Sequence, residues 1–164
     1  LLTDIFGGVD GDNQVHKCLR ELEVGGCTLL EKLPNLSKFP SLRKLEIWDM
    51  KGIVKLDGLE SLEGLQVLEL SDLPSIENLP GLSKLRKLDA LIVSDMQGLR
   101  EVEGIENLEY LERILLPGCV SLEKLPDLSG LKNLQVLNLR ECWKLNDLSG
   151  LNTLQGVAID MPAE

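Results

Sequence analysis

A leucine pattern that returns every 23 residues constrains this chain more than any other feature. The segments LRELEVGGC, LRKLEIWDM, LQVLELSDL, LDALIVSDM, LERILLPGC and LQVLNLREC start at Leu19, Leu42, Leu65, Leu88, Leu111 and Leu134. A seventh, LQGVAI, starts at Leu154 after a spacing of 20, as if three residues of the LPD region were missing. Leucine supplies 38 of the 164 residues while aromatics make up 3%. That bias points to one unit repeated rather than to a core built once.

Each unit opens on the pattern LxxLxL. Alternation in its second half sends two aliphatic side chains to one face and the residues between them to the other, which is the period of a half-buried strand. A second apolar series follows at spacing three, such as Leu122, Leu125, Leu128 and Leu131 in the fifth unit. Spacing three suits turns or short 3-10 segments better than a long α-helix. Pro34, Pro80 and Pro126 fall in this return path, where a missing N–H is tolerated and a regular helix would break. One unit cannot bury two apolar lines alone. Stacked units can, with each strand pairing in parallel with the next and the leucines forming columns. Burial of one such leucine is worth ~1.5–3 kcal/mol. The expected fold is an α/β solenoid, a horseshoe with a parallel sheet on its concave face and turns, 3-10 or short helical segments on its convex face. Residues 19–159 would form six to seven units, residues 1–18 an irregular segment or loop, and residues 160–164 a tail.

Charge narrows the partners. The net charge is −10, so the release of counterions that drives nucleic-acid binding is absent. Nucleic acid and anionic membrane surfaces are not expected partners. No apolar run reaches the ~18 residues that cross a bilayer, and the N-terminus has neither the basic start nor the apolar middle of a signal peptide. The four cysteines, Cys18, Cys27, Cys119 and Cys142, include no CxxC pair, and His16 is the one histidine. Closely spaced ligand pairs for zinc are therefore missing. Cys119 and Cys142 lie one repeat apart and read as small buried hydrophobes rather than as a disulfide, which fits a reducing compartment. A cytoplasmic or nucleocytoplasmic location is expected, with no metal and no cofactor.

The phrase LxxLxLxxC followed by xxLxxLPxLSxL resembles the leucine-rich repeat over residues 19–159. Extracellular plant receptor repeats carry a GxIP signature and an asparagine after the strand, and neither is present. Here that column holds Cys27, Met50, Leu73, Met96, Cys119 and Cys142. With LEKLPDLSGLKNL, LEKLPNLSKFPSL and IENLPGLSKLRKL, it resembles the C-terminal repeats of plant intracellular nucleotide-binding leucine-rich-repeat immune receptors. LPDLSxL leans toward the subclass with a Toll/interleukin-1-receptor-like domain. The resemblance implies a non-enzymatic module that recognises a pathogen effector or a guarded host protein and restrains the nucleotide-binding and signalling domains of a parent chain. No GxxxxGK[ST] loop occurs, and the second and fourth units lack the LP step. The alternative is a stand-alone adaptor or inhibitor, or a regulatory appendage of an enzyme absent from this chain.

Motifs that suggest chemistry are incomplete. DGDNQ at Asp10 to Gln14 starts like a calcium loop, yet Val15 occupies the position where the sharp turn needs glycine. His16 has no nucleophile arranged with it. Asn35-Leu36-Ser37 satisfies the glycosylation pattern but occupies the turn that reads LPDLS in the fifth unit.

The informative residues lie between the leucines. The column between the strand leucines reads Glu23, Glu46, Glu69, Ile92, Leu115, Asn138 and Ala158. The column two residues earlier includes Lys44, Ala90, Arg113 and Val136. The columns after the strand include Trp48 and Arg140, then Asp49, Asp72 and Asp95. The first three strands thus present an acidic ridge of Glu23, Glu46, Glu69, Asp49 and Asp72, with Trp48 as an aromatic anchor. The next three present Ala90, Ile92, Leu115 and Val136 where polar residues suit a wet face. The partner-binding set expected on the concave face is Glu23, Glu46, Trp48, Asp49, Glu69, Asp72, Ile92, Asp95, Arg113, Leu115, Val136, Asn138 and Arg140. Trp143, just past a strand, is expected to pack.

Overall fold

The computed structural model describes residues 17–79 and 81–162. The Asp10 to Gln14 segment, His16 and Pro80 lie outside the described residues.

The LxxLxL units each yield one strand: β1 (Glu21–Gly25), β2 (Lys44–Trp48), β3 (Val67–Ser71), β4 (Ala90–Ser94), β5 (Arg113–Leu115), β6 (Val136–Asn138) and β7 (Ala158–Asp160). They form one parallel sheet in sequence order, each strand bonded to the next. Register from β1 to β6 advances by one period, with Leu22, Leu45, Leu68, Leu91, Ile114 and Leu137 opposite one another. These side chains, with Val24, Ile47, Leu70 and Val93, turn inward and meet the second apolar series in a single continuous core.

The return path is made of tight turns and 3-10 segments at Leu36–Lys38, Leu59–Ser61, Leu82–Lys84 and Ser149–Thr153, as spacing three demands. Two devices start them. At Asn35, Asp127 and Asp147 a side-chain oxygen accepts from the backbone N–H of Ser37, Ser129 and Ser149, at 2.9, 2.9 and 3.0 Å. Such Asx turns mimic a backbone turn. Where the sequence has glycine instead, Gly58, Gly81 and Gly104 adopt left-handed φ of 84°, 84° and 83°. The space is equally restrictive, since a Cβ on Gly58 would collide with Asn35 Oδ1 of the preceding unit. Asn35 thus serves as a turn device in the LPNLS segment, which accounts for its presence there.

The last unit departs from expectation. Matching LNDLSGL to LPDLSGL suggests a loss of three residues, which would place Ala158 beside Asn138. The structure instead bridges Lys124 to Asp147, a full period apart, and pairs Leu137 with Ile159 and Asn138 with Asp160. The column therefore ends on Asp160, and Ala158 stands beside Val136.

Candidate functional site

Side chains on the outer face of the sheet form three columns, at the first, third and fifth positions of the strands. The middle column runs Glu23, Glu46, Glu69, Ile92, Leu115, Asn138 and Asp160, each opposite the next. Parallel pairing without offset therefore sets three carboxylates in a row, with like charges on adjacent strands, an arrangement that costs stability. Lys44 partly offsets it by pairing with Glu46 on its own strand. The hydrogen bond that Lys44 donates to Glu46, with further attraction from the Glu46, Glu23 and Glu21 charges, holds the Lys44 ammonium above its usual pKa. Neither Glu23 nor Glu69 forms an ion pair among the described residues.

Trp48 ends β2, 40% exposed. Its indole lies over Gly25 of β1, so closely that a Cβ on Gly25 would strike the ring. With the ring laid toward β1, a depression of about 200 Å³ opens on the β3 side, lined by Glu46, Ile47, Trp48, Glu69 and Ser71. A glycine beside a tryptophan on the next strand is the sequence signal for this packing, and it was legible at Gly25 and Trp48.

Further along the sheet, Ile92, Leu115 and Val136 are half-buried and form an apolar stretch. Ala90 does not belong to it. It is fully buried, a short side chain flanked in register by Val67 and Arg113. Arg113 is exposed. At the far end Asn138 Oδ1 accepts from the Arg140 N–H at 2.9 Å, and the Arg140 guanidinium pairs with Asp160 at 2.8 Å, so both residues have partners within the chain. Trp143, expected to pack, is 58% exposed because it follows the buried Cys142 and faces away from the core.

The aspartate column proves to have a backbone role. Asp49, Asp72 and Asp95 have φ of 48°, 48° and 55°, and Gly26 and Gly118 occupy the same step at 67° and 71°. Aspartate and glycine tolerate this left-handed turn, which β-branched residues resist. The turn aims each N–H at the next unit: Gly26 to Trp48 O at 3.1 Å, Asp49 to Ser71 O at 3.1 Å, Asp72 to Ser94 O at 3.2 Å and Asp95 to Pro117 O at 2.9 Å. These aspartates carry the sheet's hydrogen bonding past the strand ends, at a step where Glu141 also stands left-handed at φ 60°.

Behind the sheet, the column after the strands is buried at Met50, Leu73, Met96, Cys119 and Cys142. Cys119 Sγ donates to Val93 O at 3.3 Å and Cys142 Sγ to Leu116 O at 3.1 Å. Burial pushes the Cys119 thiol up to about 12 and the Cys142 thiol to about 11. All four cysteines are free; Cys18 is exposed and Cys27 half-buried. No helix among the described residues is long and apolar enough to cross a membrane.

Comparison with solved structures finds the leucine-rich repeat domain of the type III effector XopL, with a TM-score of 0.65 at 20% identity over 94% of this chain and 72% of that one. The fold is the leucine-rich-repeat solenoid. No family model matches the chain, and no curated protein matches it. The leucine-rich-repeat architecture leaves most outward side chains freer to vary than the inward aliphatic ones, which form the continuous core. Its sheet face is the site where the residues expected to bind a partner are brought together: Glu23, Glu46, Trp48 and Glu69 at one end, Ile92, Leu115 and Val136 in the middle.

Proposed function

We propose that this chain is a protein-recognition module whose concave sheet face docks a partner carrying basic and apolar groups. The observation that carries the reading is the middle column, where three carboxylates in register give way to Ile92 and Leu115. An acidic patch adjoining an apolar one suits an interface, with charge steering the encounter and apolar contact holding it. No catalytic constellation enters this reading, and the module acts by binding alone.

The setting we propose is the C-terminal sensor of a plant intracellular nucleotide-binding leucine-rich-repeat immune receptor, in the subclass with a Toll/interleukin-1-receptor-like domain. The partner would be a pathogen effector or a guarded host protein, and the module would also restrain the nucleotide-binding domain. Support comes from the cysteines that follow the strands at Cys27, Cys119 and Cys142 and from the LPDLSGL phrase at Leu125 to Leu131. The test is to read the coding sequence upstream of Leu1. A phosphate-loop motif followed by a nucleotide-binding module is the expected finding, and a nearby start codon without one would instead make this a stand-alone binding protein. Once a partner is in hand, the double variant Glu46→Lys, Glu69→Lys should lose binding at least tenfold in a calorimetric titration with its far-UV circular dichroism unchanged. Undiminished binding by a folded double variant would move the interface off this face.

A further inference from the structure

We infer that the depression between the Trp48 indole and the Glu69 carboxylate receives one cationic side chain, lysine or arginine, of a protein partner. The inference deepens the recognition reading above and rests on it for the nature of the partner. Three observations converge on this spot. Glu46 and Glu69 stand side by side in register, but Lys44 engages Glu46 alone, so Glu69 is left without an ion pair among the described residues. The indole is laid over Gly25 and Trp48 borders the depression while keeping 40% of its surface open. The depression also includes Ser71, whose hydroxyl can accept a hydrogen bond from a cation's N–H.

Chemistry favours a cation over other occupants. An ammonium or guanidinium gains from an aromatic face and from a neighbouring carboxylate at once. Lys44 already shows how this face treats a positive charge: its hydrogen bond to Glu46, with the Glu46, Glu23 and Glu21 charges, strengthens its hold on the proton. An anionic group would meet Glu46 and Glu69 directly, and a purely apolar one would leave Glu69 desolvated without a partner. The apolar stretch begins with Ile92 on β4 and Leu115 on β5, about 10 Å away across roughly two strand spacings. A partner segment that fills both carries its cation and its apolar side chain at that separation.

The test uses the 164-residue chain labelled with nitrogen-15 and the blocked peptide acetyl-Lys-Gly-Gly-Leu-amide, whose end residues can lie about 10 Å apart and whose glycines let both side chains turn to one face. Trp48 and Trp143 are the two tryptophans, so two indole N–H signals report separately. The Trp48 signal is expected to move saturably while that of Trp143 stays still. Replacing the lysine by norleucine, or Glu69 by glutamine, should weaken binding at least fivefold, and salt should weaken it further. Equal binding of the norleucine peptide, an unaltered Glu69→Gln variant, equal movement of both signals or no response up to 20-fold molar excess of peptide each overturns the assignment. These outcomes are independent of the upstream coding sequence, so the receptor assignment and this subsite fail separately.

Discussion

At the scale of single residues, the same side chain often serves the fold and the face together. Gly25 is such a case, because its lack of a Cβ lets the Trp48 indole lie on β1. Gly25→Ala should push the ring over the depression and shift the Trp48 indole N–H signal, while changing the urea midpoint little, since both residues stand outside the core. The thiols give a second prediction. Their pKa values are raised by burial to about 12 and about 11 from the ordinary 9.0. The folded chain therefore keeps protons that the unfolded chain releases between about pH 9 and these values, and stability falls as pH rises through that window. Urea midpoints measured at pH 8 and pH 10.5 should drop further for the natural chain than for Cys119→Ala, Cys142→Ala, although the double variant starts lower. A thiol-reactive probe should correspondingly label Cys18 first.

At the scale of elements, each unit is a strand closed by a left-handed step and a turn. Asn35→Ala should cost about 1 kcal/mol by leaving the Ser37 N–H without its acceptor. Gly58→Ala should cost roughly 1–3 kcal/mol for a left-handed non-glycine residue. Because Asn35 Oδ1 is the atom that a Cβ at position 58 would strike, the two substitutions should be non-additive in a double-mutant cycle read by thermal or urea unfolding. The strands and 3-10 turns were legible because aliphatic spacing changes from two to three within each unit. The last register was not. LQGVAI offers Val157 and Ile159 as inward residues, and a slip of two keeps both on the core side, so periodicity cannot choose between them. Ala90 was misread for a related reason: its column faces outward, but burial there depends on how far Val67 and Arg113 reach. The aspartates were read by charge when their backbone angles explain them better.

At the scale of the whole molecule, stability should grade along the solenoid. Strands β1–β4 have five residues each and β5–β7 three. The inward side chains of β2, β3 and β4 are buried, whereas Ile159 of β7 is 38% exposed. Each unit leans on its neighbours alone, so opening is expected to begin where burial is least. Amide hydrogen exchange at Leu45, Leu68 and Leu91 should be at least tenfold slower than at Ile159. Uniform protection across the sheet would mean that the stack opens as one body.

From β1 to β6 every junction between units repeats one step of 23 residues, with identical pairing on both sides. A gene encoding such a chain can gain or lose a whole unit by unequal crossing-over without creating a new kind of junction. The carboxylate row is inherited in the same parcels, so duplication of the unit bearing Glu46 would lengthen the charged half by one strand in one event. New specificities in such a lineage can therefore arise by counting, as well as by point substitution.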